Sequence, residues 1–152
     1  MGKWLLAVLA GLAVAVAGTV IADEKSGPEL KCPISGKPAK KDVAVEYRGG
    51  EVYFCCPGCP GKFKEKTEKY STKANHQLIA SGQAKQTACP LSGRETNSDT
   101  ATEVEGVSVA FCCNGCKGKV AKADEEKRRE MVFGDKAFEK GFKVKEKQKK
   151  EG

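Results

Sequence analysis

Residues 54–62 read FCCPGCPGK, and residues 111–119 read FCCNGCKGK. Each phrase sets two adjacent cysteines, a turn, a third cysteine, then a glycine and a lysine in the same order. Upstream, CPISG at 32–36 is matched by CPLSG at 89–93, and the next residue, Lys37 or Arg94, is basic in both. The offset is 57 throughout, and twenty-two residues separate Cys32 from Cys55 just as they separate Cys89 from Cys112. The chain is therefore an internal repeat with no insertion or deletion between its landmarks.

Between the cysteines each copy carries two short runs: VAVEYR (43–48) and EVYF (51–54), then TATEVE (100–105) and VSVAF (107–111). Val43, Val45 and Tyr47 alternate with Ala44, Glu46 and Arg48, the period of a half-buried strand. Gly49-Gly50 between the first two runs reads as a tight hairpin turn. The second copy keeps Gly106 but has Val107 for the second glycine, which predicts a somewhat different turn. After the third cysteine, GKFKEKTEKY and GKVAKADEEKRREMV are rich in Lys, Glu and Ala and favour helix, with Phe63 and Tyr70 seven apart on one face. A further short helix is expected around Asn75–Ala80. A short amphipathic piece bearing Phe133, Phe138 and Phe142 follows in the second copy. These aromatic residues suit apolar caps over small cores, with a partner-docking stripe as the alternative. The fold class expected is α+β: two tandem modules of cysteine knuckle, β-hairpin, cysteine cluster and helix. Module 1 covers 32–80 and module 2 covers 89–142, joined by linkers at 23–31 and 81–88 and followed by a basic tail at 143–152.

The start of the 152-residue chain reads differently. Lys3 precedes the apolar run WLLAVLAGLAVAVAGTVIA, which ends in small residues before the charged DEKSGPELK. That is the pattern of a signal peptide at 1–22, cut after Ala22, and it predicts export to a periplasm or the outside. The alternative is an uncleaved anchor, since Trp4–Ala22 approaches the ~20 residues that span a bilayer; membrane contact is expected only in that case. With no cysteine near the cut, a lipid-anchored form is not expected. The net charge is +7, and much of the excess lies in KVKEKQKKEG. With no aromatic residue between those lysines, the tail reads as solvated, and nucleic acid is not an expected partner. Large apolar residues are few outside the leader, and 31% of the chain is charged. Cores this thin need disulfides or a structural metal, and all 8 cysteines lie beyond the leader.

A hairpin returns its second strand to the start of its first, so Cys32 should meet Cys55, Cys56 and Cys59, and Cys89 should meet Cys112, Cys113 and Cys116. The proline after Cys32 and Cys89 suits a rigid knuckle that aims backbone N–H groups at sulfur. The last cysteine of each set opens a helix, where free N–H groups and the dipole favour a thiolate. The arrangement resembles treble-clef zinc sites, although Ser35 and Ser92 stand where the knuckle's second cysteine would be. Either Cys55 and Cys112 fill that place, or the site has three sulfurs. Four thiolates suit Zn²⁺ and three suit Cu⁺, one ion per module.

Cys-x22-Cys-x3-Cys with an aromatic residue before the second cysteine is similar to the TRASH/YHS family of small metal-binding modules, over residues 32–70 and 89–127. The resemblance carries the family's cysteines onto Cys32, Cys55 and Cys59, and onto Cys89, Cys112 and Cys116. It implies a treble-clef-like fold and binding, trafficking or sensing of heavy metals, with metal ions and a second metal-handling protein as partners. Cys56 and Cys113 are additional to the pattern.

Two other readings compete. An even number of cysteines in an exported chain suits a disulfide framework, against which stand the vicinal pairs and the convergence of all four sulfurs on one spot. Cys56-Pro57-Gly58-Cys59 has the local chemistry of thiol exchange, but the second copy reads CNGC and no βαβ pattern is present. Haem attachment would need a histidine after CxxC, where Pro60 and Lys117 stand. His76, the single histidine, has Phe133 as its repeat counterpart and is not expected to be a ligand. No catalytic set or phosphate loop is found, so a non-enzymatic protein is expected.

Overall fold

The computed structural model describes residues 29–145, so the leader, the first part of the 23–31 linker and the end of the tail lie outside the described residues. In chain order the elements are β1 (Lys40–Tyr47), β2 (Gly50–Phe54), α1 (Cys59–Glu65), α2 (Thr67–Ala80) and β3 (Ala84–Gln86). Then follow β4 (Asn97–Val104), β5 (Val107–Phe111), α3 (Asn114–Lys122), α4 (Glu125–Phe133), α5 (Asp135–Gly141) and β6 (Phe142–Val144). The result is a mixed fold of helices and three two-stranded antiparallel sheets, β1–β2, β4–β5 and β3–β6.

In β1 the alternating residues Val43, Val45 and Tyr47 are half-buried and the residues between them exposed. In β2 the period sharpens, with Gly50, Val52 and Phe54 buried. The turns correct the sequence reading. Tyr47 pairs with Gly50 and Val104 with Val107, so the central residues are Arg48-Gly49 and Glu105-Gly106. Their φ angles are 51° and 82° in the first turn and 49° and 77° in the second. Both turns thus have the double positive φ of a type I′ hairpin, whose twist matches that of the strands, and the two copies do not differ. Gly50 belongs to the strand instead. A Cβ there would lie 2.7 Å from Leu78 Cδ2, so close approach of α2 is what calls for glycine.

Each hairpin has a register shift toward its open end, between Lys40 and Ala44 and between Asn97 and Thr102. In the second, the buried Thr100 stands in for the missing ladder. Its hydroxyl accepts from Phe111 N–H at 2.8 Å and lies 2.6 Å from both Asn97 O and Phe111 O.

The expected short helix near Asn75 is the last part of α2, a 14-residue helix set off from α1 at Lys66. GKVAKADEEKRREMV, expected as one helix, is two. Ala123 is extended, and the Asp124 carboxylate accepts from Lys127 N–H at 2.8 Å, restarting the chain as α4 with Glu125 and Glu126 in its first turn. A side-chain cap and acidic groups at the positive helix end together outweigh continuation.

The 81–88 segment, expected as a linker, contains β3, which pairs with β6 at Ala84↔Val144, Lys85↔Lys143 and Gln86↔Phe142. Lys143 and Val144 therefore lie in a strand, not in a tail. With a repeat offset of 57, β3 pairs with nearly its own counterpart, as an approximate two-fold arrangement requires. The same relation sets His76 against Phe133, edge to face at 4.8 Å. Phe133, Phe138 and Phe142 are buried in one continuous cluster with Phe54, Phe63 and Leu78 of the first copy and Val109, Phe111 and Val120 of the second. Each buried Phe contributes about 2–3 kcal/mol. Around this core Asp135 of α5 accepts from Arg48 Nη2 (2.9 Å), Ser71 Oγ (2.9 Å) and Asn75 Nδ2 (3.0 Å).

Candidate metal centres

Each knuckle is a closed backbone loop. Cys32 N–H donates to Lys37 O at 2.8 Å and Gly36 N–H to Cys32 O at 2.8 Å. The second copy repeats this with Cys89 N–H to Arg94 O at 2.8 Å and Gly93 N–H to Cys89 O at 2.7 Å. The following hairpin brings the chain back, and the helix start delivers the last sulfur. Cys59 is the first residue of α1, whereas Cys116 is the third of α3.

Two groups converge: Cys32, Cys55 and Cys59, and Cys89, Cys112 and Cys116, with all sulfurs of a group within 4.8 Å of one another. These are the residues carried over by the family resemblance, and each group is close enough to hold one metal ion. Cys55 and Cys59 sulfurs lie 3.7 Å apart, and Cys112 and Cys116 sulfurs 3.6 Å apart. Two sulfurs each ~2.3 Å from one zinc at the tetrahedral angle are about 3.8 Å apart, and trigonal sulfurs about 4.0 Å. The Cys55–Cys59 and Cys112–Cys116 pairs thus have the spacing of two sulfurs on one small thiophilic ion, with Cys32 or Cys89 close enough to complete the set. Cys56 and Cys113, predicted ligands as well, are not in these groups. The Cys56 sulfur lies 3.4 Å from that of Cys59, and the Cys113 sulfur 3.7 Å from that of Cys112. All eight cysteines are free thiols.

Ser35 and Ser92 turn out to serve sulfur. Their hydroxyls lie within hydrogen-bond distance of sulfur, 3.1 Å from Cys55 Sγ and 3.2 Å from Cys112 Sγ. In the second copy the Arg94 guanidinium also donates to Cys112 Sγ at 3.4 Å.

The proton inventory departs from the expectation for a helix-start thiol. Burial opposes ionisation of Cys32, but the N–H groups of Ser35 and Cys55, the Ser35 hydroxyl and the Ile34 N–H bring it down to about 7. Cys89 is lowered in the same way against its burial, by the Ser92 hydroxyl and the N–H groups of Cys112, Ser92 and Leu91. Burial, and then the neighbouring sulfurs, push Cys59 and Cys116 up to about 12. The helix-start cysteine is therefore the last to ionise and the knuckle cysteine is eased toward the thiolate, because burial, reinforced by the neighbouring sulfurs, outweighs a dipole that acts over one turn. Such a cluster holds its full negative charge only when a cation shares it.

No family, no curated protein and no solved structure matches this chain.

His76 lies outside both clusters. Its Nε2 sits 2.9 Å from Glu105 O, and burial lowers its pKa, so it is a neutral packing residue between the copies. Two glutamines that the sequence reading passed over position the knuckles. Buried in α2, Gln77 accepts from Tyr53 N–H (2.6 Å) and donates to Tyr53 O and Lys31 O (2.9 Å each). In β3, Gln86 accepts from Ala110 N–H (3.0 Å) and donates to Ala110 O (2.7 Å) and Ala88 O (3.0 Å). Ala110 and Ala88 are the repeat counterparts of Tyr53 and Lys31. The same clamp ties the second hairpin strand to the residue before the knuckle cysteine, from non-equivalent positions. A polar residue beside Ala74 and Leu78 on the buried face of α2 is the one signal that pointed to Gln77.

Proposed function

We propose that this chain is a non-enzymatic heavy-metal-binding protein that holds one Zn²⁺ or Cu⁺ at each cluster and serves metal binding, trafficking or sensing. Its support is the convergence of three sulfurs per copy, at separations that one ion bridges. Among the described residues neither group includes a carboxylate or a histidine, so the chemistry of an all-sulfur set selects thiophilic ions over Mg²⁺ or Ca²⁺. The resemblance to TRASH/YHS modules, with their treble-clef-like architecture, leads to the same reading. The leader motif adds export, and a partner that gives or takes metal follows from a trafficking role.

Metal analysis and thiol counting on protein purified without reductant test this directly. About two equivalents of zinc or copper, with all eight thiols titrating after chelation, is the expected result. Eight oxidised cysteines without metal would instead mark a disulfide-stapled protein. Chelation that also unfolds the chain identifies the ions as structural, whereas a folded apo form fits mobile cargo.

A further inference from the structure

The two triads leave Cys56 and Cys113 over. Cys56 is exposed, whereas its neighbour in space, Cys59, is buried, and their sulfurs are 3.4 Å apart. The Cys59 sulfur is also 3.7 Å from that of Cys55. Cys59 therefore belongs at once to an inner group with Cys32 and Cys55 and to an outer pair with Cys56. Both separations lie near the ~3.8 Å that sulfurs on one ion adopt. Two of the inner three are enclosed, Cys32 at 1% and Cys59 at 6% exposed, and Cys55 is half-buried. Cys56 is the one exposed cysteine of the four and so the most open to an incoming ligand. The turn that carries it, Pro57-Gly58, is exposed too, and it is pinned by Cys59 N–H donating to Cys56 O at 3.2 Å.

On the reading that the triad holds metal, we propose that Cys56 and Cys59 form a second, outer position through which a thiophilic ion passes between the triad and the thiols of a partner. The step is ligand exchange. Cys56 forms a sulfur–metal bond while Cys32 or Cys55 gives one up, and Cys59 stays bound throughout. Each sulfur supplies or withdraws its own electron pair, no oxidation state changes, and the proton leaving Cys56 goes to the thiolate set free. The ion is then held by two sulfurs at the rim, where a partner thiolate can displace them in turn. A tethered sulfur acts at an effective concentration that a dissolved ligand does not reach, so the route by way of Cys56 outruns direct attack on the largely buried triad.

In the second copy the spare sulfur neighbours Cys116 as well, but its short sulfur contact is with the hairpin-end cysteine. Cys113 is 3.7 Å from Cys112, which itself accepts hydrogen bonds from Ser92 and Arg94. That copy supplies the internal comparison. The full chain is loaded with Zn²⁺, and transfer to excess chromophoric chelator is followed by stopped flow, beside an equilibrium competition with the same chelator. Wild type, Cys56→Ser, Cys56→Ala and Cys113→Ser are compared. The expected result for both Cys56 variants is a split: one transfer phase slows about tenfold while the corresponding affinity moves by less than about threefold. Unchanged rates would make Cys56 a bystander and overturn the proposal. An affinity loss of about tenfold or more with faster release would make it a permanent fourth ligand, which also overturns it. Wild type that takes up no zinc defeats the metal reading itself, and is recognised by stoichiometry before any variant is made.

Discussion

Cys55 and Cys112 hold the same place in the two copies, yet their sulfurs keep different company. Each has a serine hydroxyl at 3.1–3.2 Å and a helix-start sulfur at 3.6–3.7 Å. Only Cys112 also has a guanidinium, from Arg94, and its copy is the more open, with Cys116 half-buried where Cys59 is buried. Lys37, the counterpart of Arg94, makes no side-chain hydrogen bond to sulfur among the described residues. What the repeat preserves is the part set by backbone: the knuckle, the hairpin length and its type I′ turn. Charge at the rim has been free to change, so two sites of one geometry differ in electrostatics and access.

The largest expected effect strikes the shared part. Gln77→Leu removes three hydrogen bonds around the first knuckle from a fully buried position. The expected cost is about 2–4 kcal/mol of unfolding free energy, read by denaturant titration, together with weakened metal binding in one site only. Gln86→Leu removes the equivalent clamp from a half-buried position and is expected to cost about 1–2 kcal/mol. Equal costs would mean that burial is not what separates the two clamps. A smaller effect is expected at the rim. Arg94→Ala should weaken the second site by about two- to fivefold, as suits an exposed pair, whereas Lys37→Ala leaves the first within error. Competition titrations at rising ionic strength check this, because the Arg94 contribution should fade as salt screens it.

How far these features were legible in the sequence follows from how local their causes are. The repeat spacing places both triads, because a hairpin of fixed length returns Cys55 to Cys32 whatever the side chains. Alternation gives β1 its half-buried face. The turn was misplaced by one residue because Gly49-Gly50 draws attention to the glycines, while a type I′ turn accepts Arg48 or Glu105 at its first position. The break at Asp124 carried a readable signal, an Asp followed by two glutamates, that helix-favouring composition obscured. Strand β3 is three residues long, too short for any periodicity, and exists because β6 arrives from the other end of the chain. The clamps of Gln77 and Gln86 hold a strand 24 residues away in sequence, and apart from one polar residue on the buried face of α2 they leave no local pattern. The order of thiol ionisation was inverted for the same reason: the helix-start rule is local, whereas burial of the last sulfur and its crowding by the others arise only once three segments meet.

That ionisation order offers the finest test of the comparison. Metal uptake displaces whatever protons the ligands still carry. In the first site Cys59, pushed up to about 12, always has its proton to give, but Cys32 ionises at about 7. Below that point Cys32 releases a proton on binding, and above it the proton is already gone. The number of protons released per ion at the first site should therefore fall by nearly one between about pH 6 and about pH 8, and apparent affinity should climb with pH more steeply below 7 than above it. Calorimetry in buffers of different ionisation enthalpy counts the protons, with Cys89→Ser used to leave the first site alone. The converse variant, Cys32→Ser, isolates the second site, where Cys89 is also lowered and the break in slope locates it. A slope that stays constant through neutrality at the first site would show that Cys32 does not give up a proton near pH 7 on binding the ion.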